Sequence, residues 1–236
     1  MKLFKLPTFR FGVLAVCAAL LFASCQKDRW IDEEEAAAEV ESALAGNNGG
    51  LAHEVNLKMA YVANDLPGLN CGQTASVTRT FVKTTGSRTG EFTYTWLINK
   101  QCTAMDTTLA WDSQFNGVYD APRSSGSTMG TRAWTATNVG ADHELITLNG
   151  TAQRSGSHEL KTGRNRIYNT AVSTTYTNLI VDKATRRIIA GTAVSQINIA
   201  GSNGGSYDFT ANVTFNNDGT ATFDINGQAY EVELYN

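Results

Sequence analysis

The sequence predicts an all-β fold in which about ten antiparallel strands form a meander, either as a curled sheet or as a sandwich. From about residue 72 onward polar and apolar side chains alternate, as they do through residues 92–98. This two-residue period is that of a strand with one buried face. Asp218-Gly219 and Asn226-Gly227 are typical of tight hairpins. Short turns between successive strands imply antiparallel neighbours.

The segment before Cys25 has the features of an export signal. Three basic residues precede an apolar run over residues 11–23, which is too short to cross a bilayer as a helix. Ala23 and Ser24 are small, as a signal peptidase requires, and Cys25 follows them directly. The pattern predicts a lipoprotein signal peptide over residues 1–24 and a lipid on Cys25 that anchors the chain to a membrane. The alternative is an ordinary secretory signal that happens to contain a cysteine.

Residues 25–70 are predicted to form a lipidated tether with short helices. Asp32 suits the N-cap of a first helix, and the glycines and asparagines of residues 46–50 end it. Residues 51–66 fit either a helix or a strand. The helix is preferred because its apolar stripe is long and is followed by a Pro-Gly stop. That stripe consists of Leu51, Val55, Met59, Val62 and Leu66.

The β domain is predicted over residues 71–236. Threonine, serine, glycine and asparagine become frequent in this part of the chain, and alternation is the rule. The strands are expected near residues 75–83, 92–98, 114–121, 131–139, 144–152, 166–181, 187–199, 209–215, 221–225 and 230–234.

The charge of the mature chain excludes two kinds of partner. Removal of the signal leaves 16 of the 19 Lys and Arg residues against 22 Asp and Glu, a net charge of −6. Binding to nucleic acid requires clustered Lys and Arg, so no nucleic-acid partner is expected. The same balance argues against a basic patch that binds anionic lipid.

Two cysteines remain for the folded domain, because Cys17 leaves with the signal and Cys25 takes the lipid. Cys71 and Cys102 are predicted to form a disulfide, since an exported protein with an even number of thiols usually oxidises them. The alternative is two unpaired thiols that act as small core residues.

Catalytic and metal-binding signatures are absent from the sequence, so no catalytic residue, cofactor or metal is expected. The pairs His53-Glu54, His143-Glu144 and His158-Glu159 do not extend to the His-Glu-x-x-His spacing of zinc enzymes. Histidines beside turns are expected to be solvated. Carboxyl groups of the central region leave a hydrolase as an alternative, since two of them could act as an acid pair. These are Asp106, Asp112, Asp120, Asp142 and Glu144.

Two tryptophans are candidates for ligand binding. Trp111 and Trp134 lie beside Ser- and Gly-rich segments that read as loops, so their indole rings are predicted to be exposed and to stack on sugar faces. Trp96 alternates with Tyr94 and Ile98 and is predicted to be a core residue instead.

The start and the end of the mature chain carry a family resemblance. Cys25-Gln26-Lys27-Asp28 is followed by acidic residues, and residues 207–230 run as strand, Asp-Gly turn, strand and Asn-Gly turn. The chain resembles uncharacterised Bacteroidota lipoproteins in both respects. That resemblance implies an anchored β domain in the outer membrane, with the cell surface favoured over the periplasm, and implies no activity.

The expected function is that of a lipid-anchored envelope protein with a non-catalytic binding role. The expected partners are the membrane, through the N-terminal lipid, and a glycan, a protein or another envelope component. A purely structural anchored domain and a glycan-active hydrolase are the alternatives.

Overall fold

The structure, a computed structural model, describes residues 31, 33–46, 49–85, 88–103, 106–120, 122, 124–161, 166–202 and 204–235. Ten strands form one antiparallel sheet in which every strand pairs with its neighbours in the sequence. The sheet is curled and is not closed. The all-β prediction is therefore confirmed, and of its two forms the chain adopts the curled sheet.

Two helices precede the ten strands. The helices are α1 (Glu33–Leu44) and α2 (Leu51–Asn64), and a short 3₁₀ turn follows at Leu66–Gly68. The strands are β1 (Thr74–Thr85), β2 (Arg88–Cys102), β3 (Thr107–Asp120), β4 (Ser124–Thr137), β5 (Leu145–Leu160), β6 (Arg166–Asp182), β7 (Arg187–Gly201), β8 (Ser206–Phe215), β9 (Thr220–Ile225) and β10 (Gln228–Glu233).

All ten predicted strands are present, but several are longer than predicted. β3 begins at Thr107 rather than near residue 114, and β4 begins at Ser124 rather than near residue 131. The missing parts are rich in serine, threonine and glycine, which are common in loops. In the sheet some of these short side chains face outward, whereas Ser113 and Thr128 face inward and accept hydrogen bonds from Lys58 and Arg154, so the strands continue through them.

The helices pack against the inner face of the curled sheet. The helix predicted for residues 51–66 is confirmed, and its apolar stripe is buried at Leu51, Val55 and Met59. α1 is buried as well, through Ala36 and Val40. Residues from Ile31 to the C-terminus form one compact unit. From Ile31 onward, the helices predicted within residues 25–70 therefore belong to the same compact unit as the sheet.

Contacts at both ends of α1 join it to the last strands. The side-chain amide of Asn226 donates to Glu33 across 3.1 Å, beside the β9–β10 turn. The backbone N–H of Gly46 donates to the carbonyl oxygen of Leu234, just after β10, across 2.9 Å. No helix among the described residues is both long and apolar enough to cross a membrane.

The predicted disulfide is confirmed. Cys71 and Cys102 are bonded, with Cα atoms 5.5 Å apart and a sequence separation of 31. The bond joins the segment before β1 to the end of β2, so the first hairpin is closed covalently. Cys25 and the predicted signal peptide lie outside the described residues.

Glycines on the inner face make room for aromatic rings. Gly117 lies opposite Phe92, and Gly130 lies opposite Phe115. A Cβ atom added at Gly130 would come within 2.6 Å of the Phe115 ring and 2.2 Å of the backbone oxygen of Gln153. A glycine at the paired position of the neighbouring strand therefore lets each ring lie flat on the sheet.

Candidate functional site

A buried cluster of charged groups, here called the Lys58 cluster, lies between α2 and the sheet. It consists of Glu54 and Lys58 of α2, Ser113 of β3 and Arg132 of β4. The Lys58 ammonium contacts a Glu54 carboxylate oxygen at 2.8 Å and donates to Ser113 Oγ at 2.9 Å. Arg132 pairs with the other Glu54 oxygen. All four residues are almost completely shielded from solvent, at 1–4% exposure.

Three indole rings surround the Lys58 ammonium. Its nitrogen lies 5.9, 5.3 and 5.6 Å from the ring centroids of Trp96, Trp111 and Trp134, within the range of cation–π attraction. All three rings are buried, Trp111 at 1% and Trp134 at 4% exposure. The core position of Trp96 is confirmed. The prediction that Trp111 and Trp134 are exposed ligand-binding residues is wrong.

The burial of the two tryptophans follows from the alternation of inward- and outward-facing residues along their strands. β3 already includes Trp111, which shares the inner face with Phe115, so the adjoining polar residues point to the other side. Trp134 lies opposite Gly150 of β5, and this glycine provides the space for the ring. The small residues that suggested loops therefore belong to the packed sheet: Ser113 faces inward and accepts from Lys58, and Gly150 leaves room for the Trp134 ring.

Burial shifts the pKa values of both basic groups in the Lys58 cluster. Desolvation lowers the pKa of Lys58 well below its ordinary value, although Asp112 opposes the shift. Desolvation also lowers the pKa of Arg132, to about 10. Glu54 and Arg132 form an ion pair whose charges balance each other. A charged Lys58 would leave one net positive charge in the low-dielectric interior, and the lowered pKa of Lys58 reduces that charge.

A second buried cluster, here called the His158 cluster, joins α1 to the sheet. His158 Nε2 lies 3.5 Å from a Glu39 oxygen and 3.2 Å from Thr170 Oγ1, and Nδ1 is hydrogen-bonded to the Tyr119 hydroxyl at 3.0 Å. Tyr168 stacks on the imidazole ring, with centroids 5.2 Å apart. The prediction of a solvated His158 is wrong, because the residue has the inward phase of β5 and is 2% exposed.

Arg154 makes a further link between α1 and the sheet. Its Nε donates to Thr128 Oγ1 at 2.8 Å, and a terminal nitrogen donates to Ser42 Oγ at 2.9 Å. Hydrogen bonds from a buried guanidinium fix the distance and the rotation of the helix against β4 and β5. The polar groups of both clusters thus position the helices.

The other two histidines and the central carboxyl groups do not converge. The rings of His53 and Phe81 are tilted by 39° with centroids 4.1 Å apart, whereas His143 is half-exposed and lies 3.9 Å from Asp106. Asp106 accepts from the backbone N–H groups of Thr107 and Asn138, so it orders a loop. No group of three or more His, Cys, Asp or Glu side chains suited to a metal occurs within the described residues.

The outer face of the sheet has a different chemistry. A row of exposed side chains crosses eight strands, β1 to β8, at one level, and each carries a hydroxyl or a primary amide. The row is Thr78, Thr95, Gln114, Thr131, Gln153, Ser173, Gln196 and Thr210.

Two adjoining grooves follow this row. One has a volume of about 570 Å³ and the other about 500 Å³, and both are lined by Thr131 and Gln153. Carboxylates occur toward the two ends, Asp112 in the smaller groove and Asp208 in the larger. The outer face can therefore donate and accept hydrogen bonds over a long distance, with little charge.

We expect the His158 cluster to make stability depend on pH. Burial lowers the pKa of His158 below its ordinary value of 6.5, Glu39 opposes this shift and Arg154 adds to it. The unfolded chain then binds a proton near pH 6.5 that the folded chain takes up only at lower pH. The free energy of unfolding should therefore have its full value above pH 6.5 and decrease as the pH falls below 6.5. Urea unfolding between pH 7.5 and 5.5 measures this slope.

The control for this prediction is a pair of matched variants. His158→Gln should reduce the slope below pH 6.5, whatever it does to the stability at pH 7.5, and leave the part that comes from His53, whose pKa burial also lowers. His143→Gln, at the half-exposed position, should leave the slope unchanged. An equal slope in the wild type and in His158→Gln would show that this histidine does not couple protonation to folding.

Sequence reasoning missed the residues of both clusters, although one signal was present. Arg132 lies two residues before Trp134 in β4, and Arg154 lies two residues after Ala152 in β5, so each shares the phase of an inward residue. A charged residue in this phase needs a buried partner.

Comparisons of the chain with protein-family models, with curated proteins and with solved structures found no match.

Proposed function

We propose that the chain is a lipid-anchored envelope protein with a non-catalytic binding role, and that its outer sheet face is the binding surface. The observation that carries the proposal is how the polar groups are divided between the two faces. The charged and imidazole side chains of the two clusters are shielded from solvent and paired with one another, namely Glu39, Glu54, Lys58, Arg132 and His158. The exposed face has grooves lined by hydroxyl and amide groups, which suit recognition rather than catalysis.

The interior supports a binding role at the outer face for a second reason. The helices occupy the inner face of the curled sheet, and the side chains that meet there fill it: Leu51, Val55 and Met59 of α2, and the three tryptophans. A ligand at the inner face would have to displace α2 and break the Glu54–Arg132 ion pair. The outer face needs no such rearrangement.

The anchor is tested with Cys25→Ala in cells that are fed a labelled fatty acid. The wild type should carry the label and sediment with membranes, because two or three acyl chains hold a protein there almost permanently. The variant should lose the label and appear in the soluble fraction. Unchanged membrane fractionation of the variant would rule out lipid anchoring.

Binding is tested separately, with the full-length protein solubilised in detergent and fluorescently labelled. Peptidoglycan, surface polysaccharide and detergent-extracted outer-membrane proteins are titrated one at a time, because the protein's own acyl chains would carry it into intact vesicles. Saturable association with one fraction is expected. Absence of association with all three would overturn the binding role and leave an anchored domain with a structural role.

A further inference from the structure

We infer that the central part of the outer row is a site for an extended, uncharged polysaccharide chain, which lies across strands β3 to β7. This inference rests on the proposed function, since it names the ligand class for the same face. The residues that would contact the chain are Gln114, Thr131, Gln153, Ser173 and Gln196, one from each of the five strands.

The chemistry of these five side chains matches that of sugar hydroxyls. A primary amide donates two hydrogen bonds and accepts through its oxygen, and a hydroxyl does both, so every position of the row can pair with a hydroxyl in either direction. All five side chains are exposed. They can exchange hydrogen bonds with water for hydrogen bonds with a ligand without leaving a buried group unpaired.

The grooves result from short side chains beside the row. Ala133 and Thr151 line the smaller groove, and Ser155 and Ala171 line the larger. These residues form a low floor on both sides of Gln153, with the two grooves meeting at Thr131 and Gln153. A flat sugar ring fits such a floor, whereas a folded protein surface would need a larger apolar area to bind stably.

The spacing of the row suits a linear chain. Neighbouring strands lie about 4.8 Å apart, so the five positions span about 19 Å across the sheet. One strand spacing is similar to the length of one sugar ring in an extended polysaccharide. Each sugar along the chain would therefore meet an equivalent polar side chain of the next strand.

The charges favour a neutral ligand over an anionic one. Among the described residues that line the grooves, the acidic ones are Asp112 and Asp208. The basic ones are Arg132 and Arg154, whose side chains are buried on the inner side, where they pair with the helices. A polyanion would meet carboxylates and no accessible cation along the grooves.

The test is native affinity electrophoresis of the full-length protein in a polyoxyethylene detergent, which contains no sugar. The gels contain a linear β-glucan, an α-mannan, a xylan or a galactomannan, with alginate as the polyanion. At least one neutral polysaccharide should retard the wild type in a concentration-dependent way, and alginate should not. The Thr131→Ala/Gln153→Ala variant should bind about tenfold more weakly, because it loses hydrogen-bonding groups where the grooves meet.

Two further variants keep the result interpretable. Thr214→Ala/Gln228→Ala removes the same atoms at exposed positions outside the grooves and should bind like the wild type. Ala171→Gln fills the floor of the larger groove without removing a polar group and should also weaken binding. All variants are compared by thermal unfolding, and exposed substitutions of this kind change stability little.

Either of two results would overturn the groove assignment: no retardation by any neutral polysaccharide, or equal retardation of the Thr131→Ala/Gln153→Ala variant and its control. If the wild type still binds an envelope fraction in the earlier titration, the binding role stands and only the groove assignment fails. If it binds no fraction and no polysaccharide, both fail.

Discussion

Glu54→Gln is expected to lower the free energy of unfolding by about 3–5 kcal/mol, because it leaves two buried basic groups without their carboxylate. Glu54 contacts both Lys58 and Arg132, and the three side chains are fully enclosed by helix and sheet. Neither basic group can reach water without moving α2. Urea unfolding at pH 7.5, with the slope of the transition checked for two-state behaviour, measures the loss.

Two controls separate the ion network from other effects at this position. Glu34→Gln removes an exposed carboxylate from the first turn of α1 and should cost less than about 1 kcal/mol, the usual value of a helix-dipole interaction. The triple variant Glu54→Leu/Lys58→Met/Arg132→Met removes all three ionisable groups together and should regain most of the loss. A Glu54→Gln variant as stable as Glu34→Gln would mean that Glu54 does not balance the buried charges.

Gly130→Ala is expected to destabilise the protein by about 2–3 kcal/mol, at the upper end of the cost of overpacking a core. The new methyl group would lie 2.2 Å from the backbone oxygen of Gln153 and 2.6 Å from the Phe115 ring. Rotation of the ring cannot relieve the backbone contact, so β4 and β5 must separate locally.

Gly68→Ala is the matched control for this substitution. A Cβ atom at Gly68 meets no other atom within 4 Å, so the change should be within about 0.5 kcal/mol of the wild type. Phe115→Leu in the Gly130→Ala background should recover only part of the loss, because the backbone contact persists. Complete recovery would mean that the contact with the Phe115 ring causes the whole loss. Equal stability of the Gly130→Ala and Gly68→Ala variants would contradict the close contacts at Gly130.

The fold could be predicted because its signals are local. Alternation and hairpin dipeptides recur within a few residues of each other, so each strand of the meander was identified from its own sequence. The first residues of β3 and β4 were harder to predict, because Ser, Thr and Gly are equally common in loops and on the outer face of a sheet. The disulfide was predictable because only two thiols remain once Cys17 is assigned to the predicted signal and Cys25 to the lipid.

The buried clusters could not be predicted in the same way. Glu54 precedes its partner Arg132 by three strands, and no local pattern shows which helix covers which strands. Trp111 was mistaken for an exposed residue because the start of β3 was placed too late, which removed the ring from the alternation that buries it. Burial of a polar side chain depends on its partner, and that partner is known only once the helices are docked.

The position of α1 limits the order in which the chain can become folded. Glu33 contacts a turn that lies 193 residues later, and Gly46 is bonded to Leu234 near the other end of the chain. The packing of α1 is therefore complete only after the last strands have formed, although α1 also contacts β5 through Glu39 and Ser42. Contacts between such distant residues slow folding. In the export proposed above, such a delay would keep the chain unfolded until its final hairpin has crossed the membrane.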